Sequence, residues 1–249
     1  MLNLSKIRLI ATDMDGTLTT RGKFSSRLLE TFNILKLQGI EVLIVTGRSA
    51  GWVSGIVNYL GVVGAIAENG GLYYHGSFEN GLALTSIANI TEHRHQLQIA
   101  FSQLQTKFPQ IRESTDNRFR VTDWTFDVAG LHRDDLVILK NMCEEMGWGL
   151  TYSTVQCHIK PQGQDKAIGL ARVLEKYFPQ YTVNQVVTVG DSPNDESLFD
   201  ASYFPLSVGV ANISEYLESL QHRPVYITKA TEGEGFCELA ELILQSLLS

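Results

Sequence analysis

The chain has 249 residues, room for one large domain or two smaller ones, and its 44% hydrophobic and 19% charged content is that of a folded protein, not a disordered or fibrous one. Lysine plus arginine total 20 against 27 aspartates and glutamates, a net charge of −7 that argues against a nucleic-acid partner. Cys143, Cys157 and Cys237 stand far apart with no CxxC pair, no apolar run approaches the ~20 residues of a membrane span, and the opening residues lack a leader pattern, so the expectation is a cytoplasmic protein without disulfides and without a membrane partner.

The first predicted element is a buried strand over 7–12 (IRLIAT), a short β-branched apolar run. A helix over 25–38 follows, with Ser25 or Ser26 as its N-cap and Gly39 as its stop. A second strand covers 40–45, a second helix 49–60 and a third strand 65–67, with GGLYYHG as the start of a hairpin. The end of the chain returns to this alternation. Helix 164–177, strand 185–189, a short helix near 194–199 and a strand near 204–210 precede helix 213–220, strand 225–227 and a closing helix over 233–248. Alternating strands and helices at both ends imply one parallel sheet covered on both faces.

The middle reads differently. Helix 91–107, a strand at 111–115, a long strand at 118–128 (RFRVTDWTFDV), helix 133–146 and two adjacent strands at 149–153 and 155–160 give the order αββαββ. The last two strands are separated by almost nothing and should pair antiparallel. The fold class is therefore an α/β parallel-sheet core, residues 1–83 and 160–249, with an α+β module inserted at 84–159.

Chemistry gathers at the predicted strand ends. Asp13 and Asp15, in DMDGT, follow the first strand, where open parallel sheets bind ligands. Two carboxylates so placed suit a hard cation, or a nucleophile beside a general acid. Thr46, Gly47 and Arg48, in VTGR, follow the second strand and offer a hydroxyl and amides to an anion. VGDSPND brings Asp191, Asn194 and Asp195 to the end of another strand, and Lys166 opens a helix. Together these residues make a constellation for magnesium and a phosphoryl group. In the last strand of the module, Gln156, His158 and Lys160 alternate with apolar neighbours and form a polar edge, while Arg118 and Arg120 share a face of the long strand. His93 and His95, two apart on a helix, are expected at the surface.

The order DMDGT, VTGR, Lys166 and GDSPND resembles the haloacid dehalogenase superfamily of aspartyl-phosphate phosphatases along the whole chain. The insertion resembles that superfamily's type C2B cap, and DNRFRVTDWTFDV and QGQDKAIGL resemble archaeal-type phosphoglycolate phosphatases, with sucrose-phosphate phosphatases as near relatives. The resemblance implies a Rossmann-like core and hydrolysis of a small phosphorylated metabolite, either phosphoglycolate or a sugar phosphate, by a monomer or homodimer. Asp13 would be the nucleophile and Asp15 the general acid and base. Mg²⁺ would be held by Asp13, Asp15 and Asp191 with Asp195 behind them, and phosphate by Thr46, Gly47, Lys166 and Asn194. Arg48, Asn69, Arg118 and His158 are the candidates for contacting the rest of the substrate. A sugar phosphomutase and a non-catalytic phosphate-binding protein are the competing readings.

Overall fold

The computed structural model describes residues 4–76 and 81–248. Residues 1–3, 77–80 and 249, which the expected core segments include, lie outside the described residues.

Strand β1 (Leu9–Thr12) lies near the middle of the larger sheet. Its neighbours are β2 (Glu41–Val45) on one side and β9 (Val186–Gly190) on the other, both parallel to it. Beyond β9 come β10 (Ser207–Gly209) and β11 (Tyr226–Ile227), again parallel. Beyond β2 come β3 (Gly64–Ala67), parallel, then β4 (Leu72–Tyr74) and β5 (Leu82–Ala83), each antiparallel to the strand before it. The hairpin thus closes one edge of a sheet that is otherwise parallel.

Every residue of β1 is buried because both faces are covered. Ile10 packs with Leu28, Phe32 and Leu35 of α1 (Ser26–Leu37) and with Phe236, Leu239 and Ile243 of α6 (Glu232–Ser246). Leu9 and Ala11 point the other way, toward Ala167, Leu170 and Val173 of α5 (Lys166–Tyr177). Burial on both sides is why the sequence of β1 is a continuous apolar run, without alternation.

A second sheet is smaller: β6 (Trp124–Asp127), β8 (Gln156–Pro161) and β7 (Trp148–Tyr152), antiparallel in that order. One face carries α3 (Ile90–Lys107) and α4 (Arg133–Glu145) over a core of its own that includes Leu97, Phe101, Leu139, Phe126, Cys157 and Ile159. The opposite face, with Thr125 and His158, turns toward the C-terminal edge of the large sheet.

The αββαββ order holds with one reduction. Residues 111–115 form no strand and leave only a bridge from Glu113 to Phe126, flanked by two backbone hydrogen bonds. The long strand expected at 118–128 shrinks to β6, and Thr115–Phe119 is a 3-10 helix. Asn117 is the cause. Its side chain donates to the Thr125 carbonyl and accepts from the Thr125 amide, as a neighbouring strand's backbone would. Arg118 and Arg120 therefore share no strand face. The second helix, α2 (Ala50–Ile56), is shorter than expected, and the helix expected at 213–220 is a 3-10 turn over Ala211–Glu215. His93 is half-buried, with Nε2 2.9 Å from the Thr122 carbonyl oxygen. Among the described residues, no helix is long and apolar enough to cross a membrane.

Candidate active site

The C-terminal ends of β1, β2, β3 and β9 bring the predicted groups to one edge. Asp13 follows β1 directly, and its amide continues the sheet by donating to the Val189 carbonyl at 2.9 Å. Gly16 takes φ +81°, and a Cβ there would stand 2.5 Å from Asp191 Oδ2, so the DMDGT turn needs glycine to admit Asp191. Thr17 Oγ1 donates to Asp191 Oδ1 at 2.9 Å, and Asn212 Nδ2 donates to Asp191 Oδ2 at 2.9 Å.

Lys166, at the first turn of α5, is wholly buried and donates to Asp13 Oδ1 and Asp195 Oδ1, each at 2.5 Å. Burial opposes its charge, but the carboxylates of Asp13 and Asp195 outweigh burial and hold the ammonium above its ordinary range. Burial also pushes Asp13 up to about 7, against the pull of Lys166. Asp191 is lifted well above the carboxylate range by burial, with Asp13 and Asp195 adding repulsion. Asp195 Oδ2 accepts from the amides of Asp191 and Ser192, so both of its oxygens are engaged.

Asp13, Asp191 and Asp195 are buried and place carboxylate oxygens within 4.8 Å of one another. Three carboxylates face one ammonium, an excess of negative charge that a divalent cation would cancel. The donor set is all oxygen, as magnesium prefers. Asp13 and Asp191 retain free lone pairs, whereas Asp195 is committed to Lys166 and the loop backbone.

Thr46, Gly47 and Asn194 line the same cavity as Asp13 and Asp15. Asn194 Nδ2 donates to Asn69 Oδ1 at 3.1 Å, and the buried Asn69 Nδ2 has no partner among the described residues. Arg48 forks onto Asp15, with Nε 2.8 Å from Oδ2 and Nη2 2.7 Å from Oδ1, and its guanidinium lies 5.4 Å from the Trp52 ring centroid. From the smaller sheet, Ser153, Thr154, Val155, Gln156 and His158 close the cavity, whose volume is about 40 Å³.

The structure does not bring Arg118 there. It sits exposed on the 3-10 helix, its guanidinium 4.7 Å from the Phe119 ring centroid, outside the residues lining the cavity. Arg120 is the arginine of that segment that turns inward. Its side chain is fully buried, donates to both Asp123 oxygens at 3.0 Å and to the Gly47 carbonyl at 2.9 Å, and reaches Asp116 and Gln156. Asp123 Oδ2 then holds His158 Nδ1 at 2.8 Å. Burial disfavours the Asp123 charge, but Arg120 and His158 outweigh it and keep the carboxylate below its ordinary range.

Glu68 is a further residue the sequence did not single out for its role. It stands at φ +53° at the end of β3, completely buried, and burial pushes it up to about 7. Its carboxylate accepts from the amides of Ala50, Val121 and Thr122 and from Thr122 Oγ1. It thereby ties the large sheet, α2 and the chain entering β6 together.

This combination of a parallel sheet, an inserted antiparallel sheet and paired carboxylates at the strand ends is similar to that of the haloacid dehalogenase-like hydrolases. The model of that family matches residues 10–114. A phosphoglycolate phosphatase of Methanothrix thermoacetophila is 27% identical over 243 residues, spanning 94% of this chain and 96% of the relative. One from Thermoplasma volcanium is 28% identical over 200 residues, 80% of this chain and 83% of the relative. Among solved structures, a Thermoplasma acidophilum protein superposes with a TM-score of 0.77 at 22% identity, covering 96% of this chain and 98% of the other. The Synechocystis sucrose-phosphatase, solved with sucrose and phosphate, gives a TM-score of 0.72 at 17% identity, covering 94% and 97%.

Proposed function

We propose that this enzyme is a magnesium-dependent phosphomonoester hydrolase acting through an aspartyl-phosphate on a small phosphorylated metabolite, with residues 84–159 as the cap over its active site. The observation that carries this reading is the buried Asp13 carboxylate, held by Lys166 in the cavity wall beside Asp15, Thr46, Gly47 and Asn194.

The Asp13 carboxylate attacks phosphorus in line and breaks the bond to the leaving oxygen. Asp15 gives a proton to that oxygen and later takes one from the water that opens the acyl-phosphate. Each Asp15 oxygen accepts one hydrogen bond from Arg48 and keeps a further lone pair for these transfers. The Thr46 hydroxyl, the Gly47 amide, Asn194 and Lys166 hold the phosphoryl oxygens, where charge spreads in the transition state. Asp13, the Asp15 carbonyl and Asp191 would hold magnesium, with Asp195 orienting Lys166 and the loop behind. When bound, the metal neutralises charge on the transferring group.

The cavity is walled on one side by residues 153–156 and His158, which favours a small leaving group. Phosphoglycolate, the substrate in the names of the relatives, and short polyol or sugar phosphates are the candidates. The test is release of inorganic phosphate from such esters with magnesium, after EDTA, and with Asp13→Asn. Activity should require the metal and vanish in the variant while circular dichroism is unchanged. Turnover in Asp13→Asn within about tenfold of wild type, a barrier change of only ~1.4 kcal/mol, would refute the mechanism.

A further inference from the structure

His158 reaches the cavity from β8 and is 2% exposed. Its Nδ1 is committed to Asp123, whose two oxygens both accept from Arg120 Nη1 and which is therefore an ionised acceptor. Nδ1 must then carry the hydrogen. Nε2 makes no hydrogen bond among the described residues, and the ring stands against the phosphate loop, where a Cβ on Gly47 would be 3.1 Å from Cε1. Resting on the phosphatase reading above, we propose that His158 reads the leaving group: its Nε2 accepts a hydrogen bond from a substrate hydroxyl, so the enzyme favours hydroxylated phosphomonoesters over those that end in a carboxylate.

The alternative is an imidazolium donating to a carboxylate, and the surroundings oppose it. Burial pushes His158 below its ordinary range. Asp123 pulls the other way, but Arg120 and Lys166 add repulsion. Asp123 already shares its charge with Arg120, so it cannot fully stabilise a second cation. A neutral ring with a fixed tautomer offers a lone pair, and a lone pair facing a carboxylate repels it. The rest of the wall from the smaller sheet, Ser153 to Gln156, is uncharged. Arg48 is the cation at the cavity nearest to serving a carboxylate, and it is occupied by Asp15.

The test compares kcat/KM for propyl phosphate, glycerol 3-phosphate and phosphoglycolate in wild type and in His158→Phe. The wild type should favour glycerol 3-phosphate over propyl phosphate by about tenfold, the scale of one neutral hydrogen bond, and should not favour phosphoglycolate. In His158→Phe that ratio should fall toward one, whatever happens to the absolute rates. A wild-type ratio near one, or a preference for phosphoglycolate that the variant removes, overturns the proposal. Nitrogen-15 NMR of the imidazole in the intact wild-type enzyme gives a reading independent of the variant's folding. At pH 7, Nε2 should be the unprotonated nitrogen and should shift when glycerol 3-phosphate is added. A protonated Nε2, or no shift, overturns the proposal. Equal hydrolysis of all three esters defeats this inference alone. No phosphate release from any of them, with the NMR response intact, defeats the phosphatase reading and leaves the assignment of His158 standing.

Discussion

Lys166 shows what a single buried charge does in this protein. Its ammonium sits between Asp13 and Asp195, and removing it leaves two buried carboxylates facing each other. Lys166→Met should cost stability by about 3–5 kcal/mol, as breaking a buried ion pair does, as well as abolishing turnover. Denaturant unfolding measures the first. A variant as stable as wild type would mean that the carboxylates relax by taking up a proton. His158 sets a pH dependence of a definite sign. Its folded pKa lies below the unfolded value near 6.5, so the unfolded chain binds the proton first and stability falls as pH drops below about 6.5. This group contributes a slope of at most about 1.4 kcal/mol per pH unit. Asp13 and Glu68, with carboxyls raised to about 7, give the opposite trend in the same range, so the His158 slope should appear as the difference between wild type and His158→Gln in unfolding free energies at pH 7.5, 6.5 and 5.5; an identical pH dependence in both would leave His158 without a contribution.

At the scale of elements, the loop after β3 and the segment before β6 depend on each other. Glu68 takes four donors from two directions, three of them backbone amides. A glutamine can accept at only one end, so Glu68→Gln should leave at least one buried N–H unpaired and destabilise by about 1–3 kcal/mol. Loss of hydrogen-exchange protection should concentrate at Val121 and Thr122; uniform loss across β1 and β9 would instead mean that the brace is not local. The sequence revealed the strand ends and their acidic motifs, because apolar runs followed by Asp or Thr-Gly mark the edge of a parallel sheet. It also placed His158 correctly on the polar face of β8, since period-two alternation survives there. It misled at Arg118, where aromatic and β-branched residues suggest a strand but the Asn117 side chain takes a strand's place beside Thr125. Arg120 was expected on a strand face beside Arg118, and the roles of Glu68 and Asp123 carried no readable signal. Their importance comes from partners 3 to 73 positions away that the tertiary fold assembles.

Taken as a whole, the molecule stores unfavourable charge at one sheet edge and should gain stability when a cation neutralises it. Magnesium should raise Tm in a concentration-dependent way, by mass action on the folded state alone. Asp191→Asn should weaken that response while raising Tm without metal, because it removes one of the crowded carboxylates. A thermal shift independent of magnesium in wild type would place the binding elsewhere. The two sheets also answer to each other through Arg120, which belongs to the inserted unit yet holds the carbonyl of Gly47 in the loop after β2. Lifting the smaller sheet must break that bond, so the loop's geometry is tied to whether the unit is docked.

The Arg120–Asp123–His158 chain also bears on how this enzyme can change over generations. Its members are buried and mutually dependent, so replacing any one of them strands a charge or an unpaired group inside the protein. New substrate preferences would need coordinated replacement of all three, a path that single mutations do not offer. The neighbouring turn has no such constraint: Thr154 and Val155 are exposed at the same cavity and packed against little. Variation in what the enzyme accepts should therefore accumulate in that turn, and libraries built to redirect it should randomise Thr154 and Val155 while leaving Gln156, a partner of Arg120, and the chain to His158 untouched.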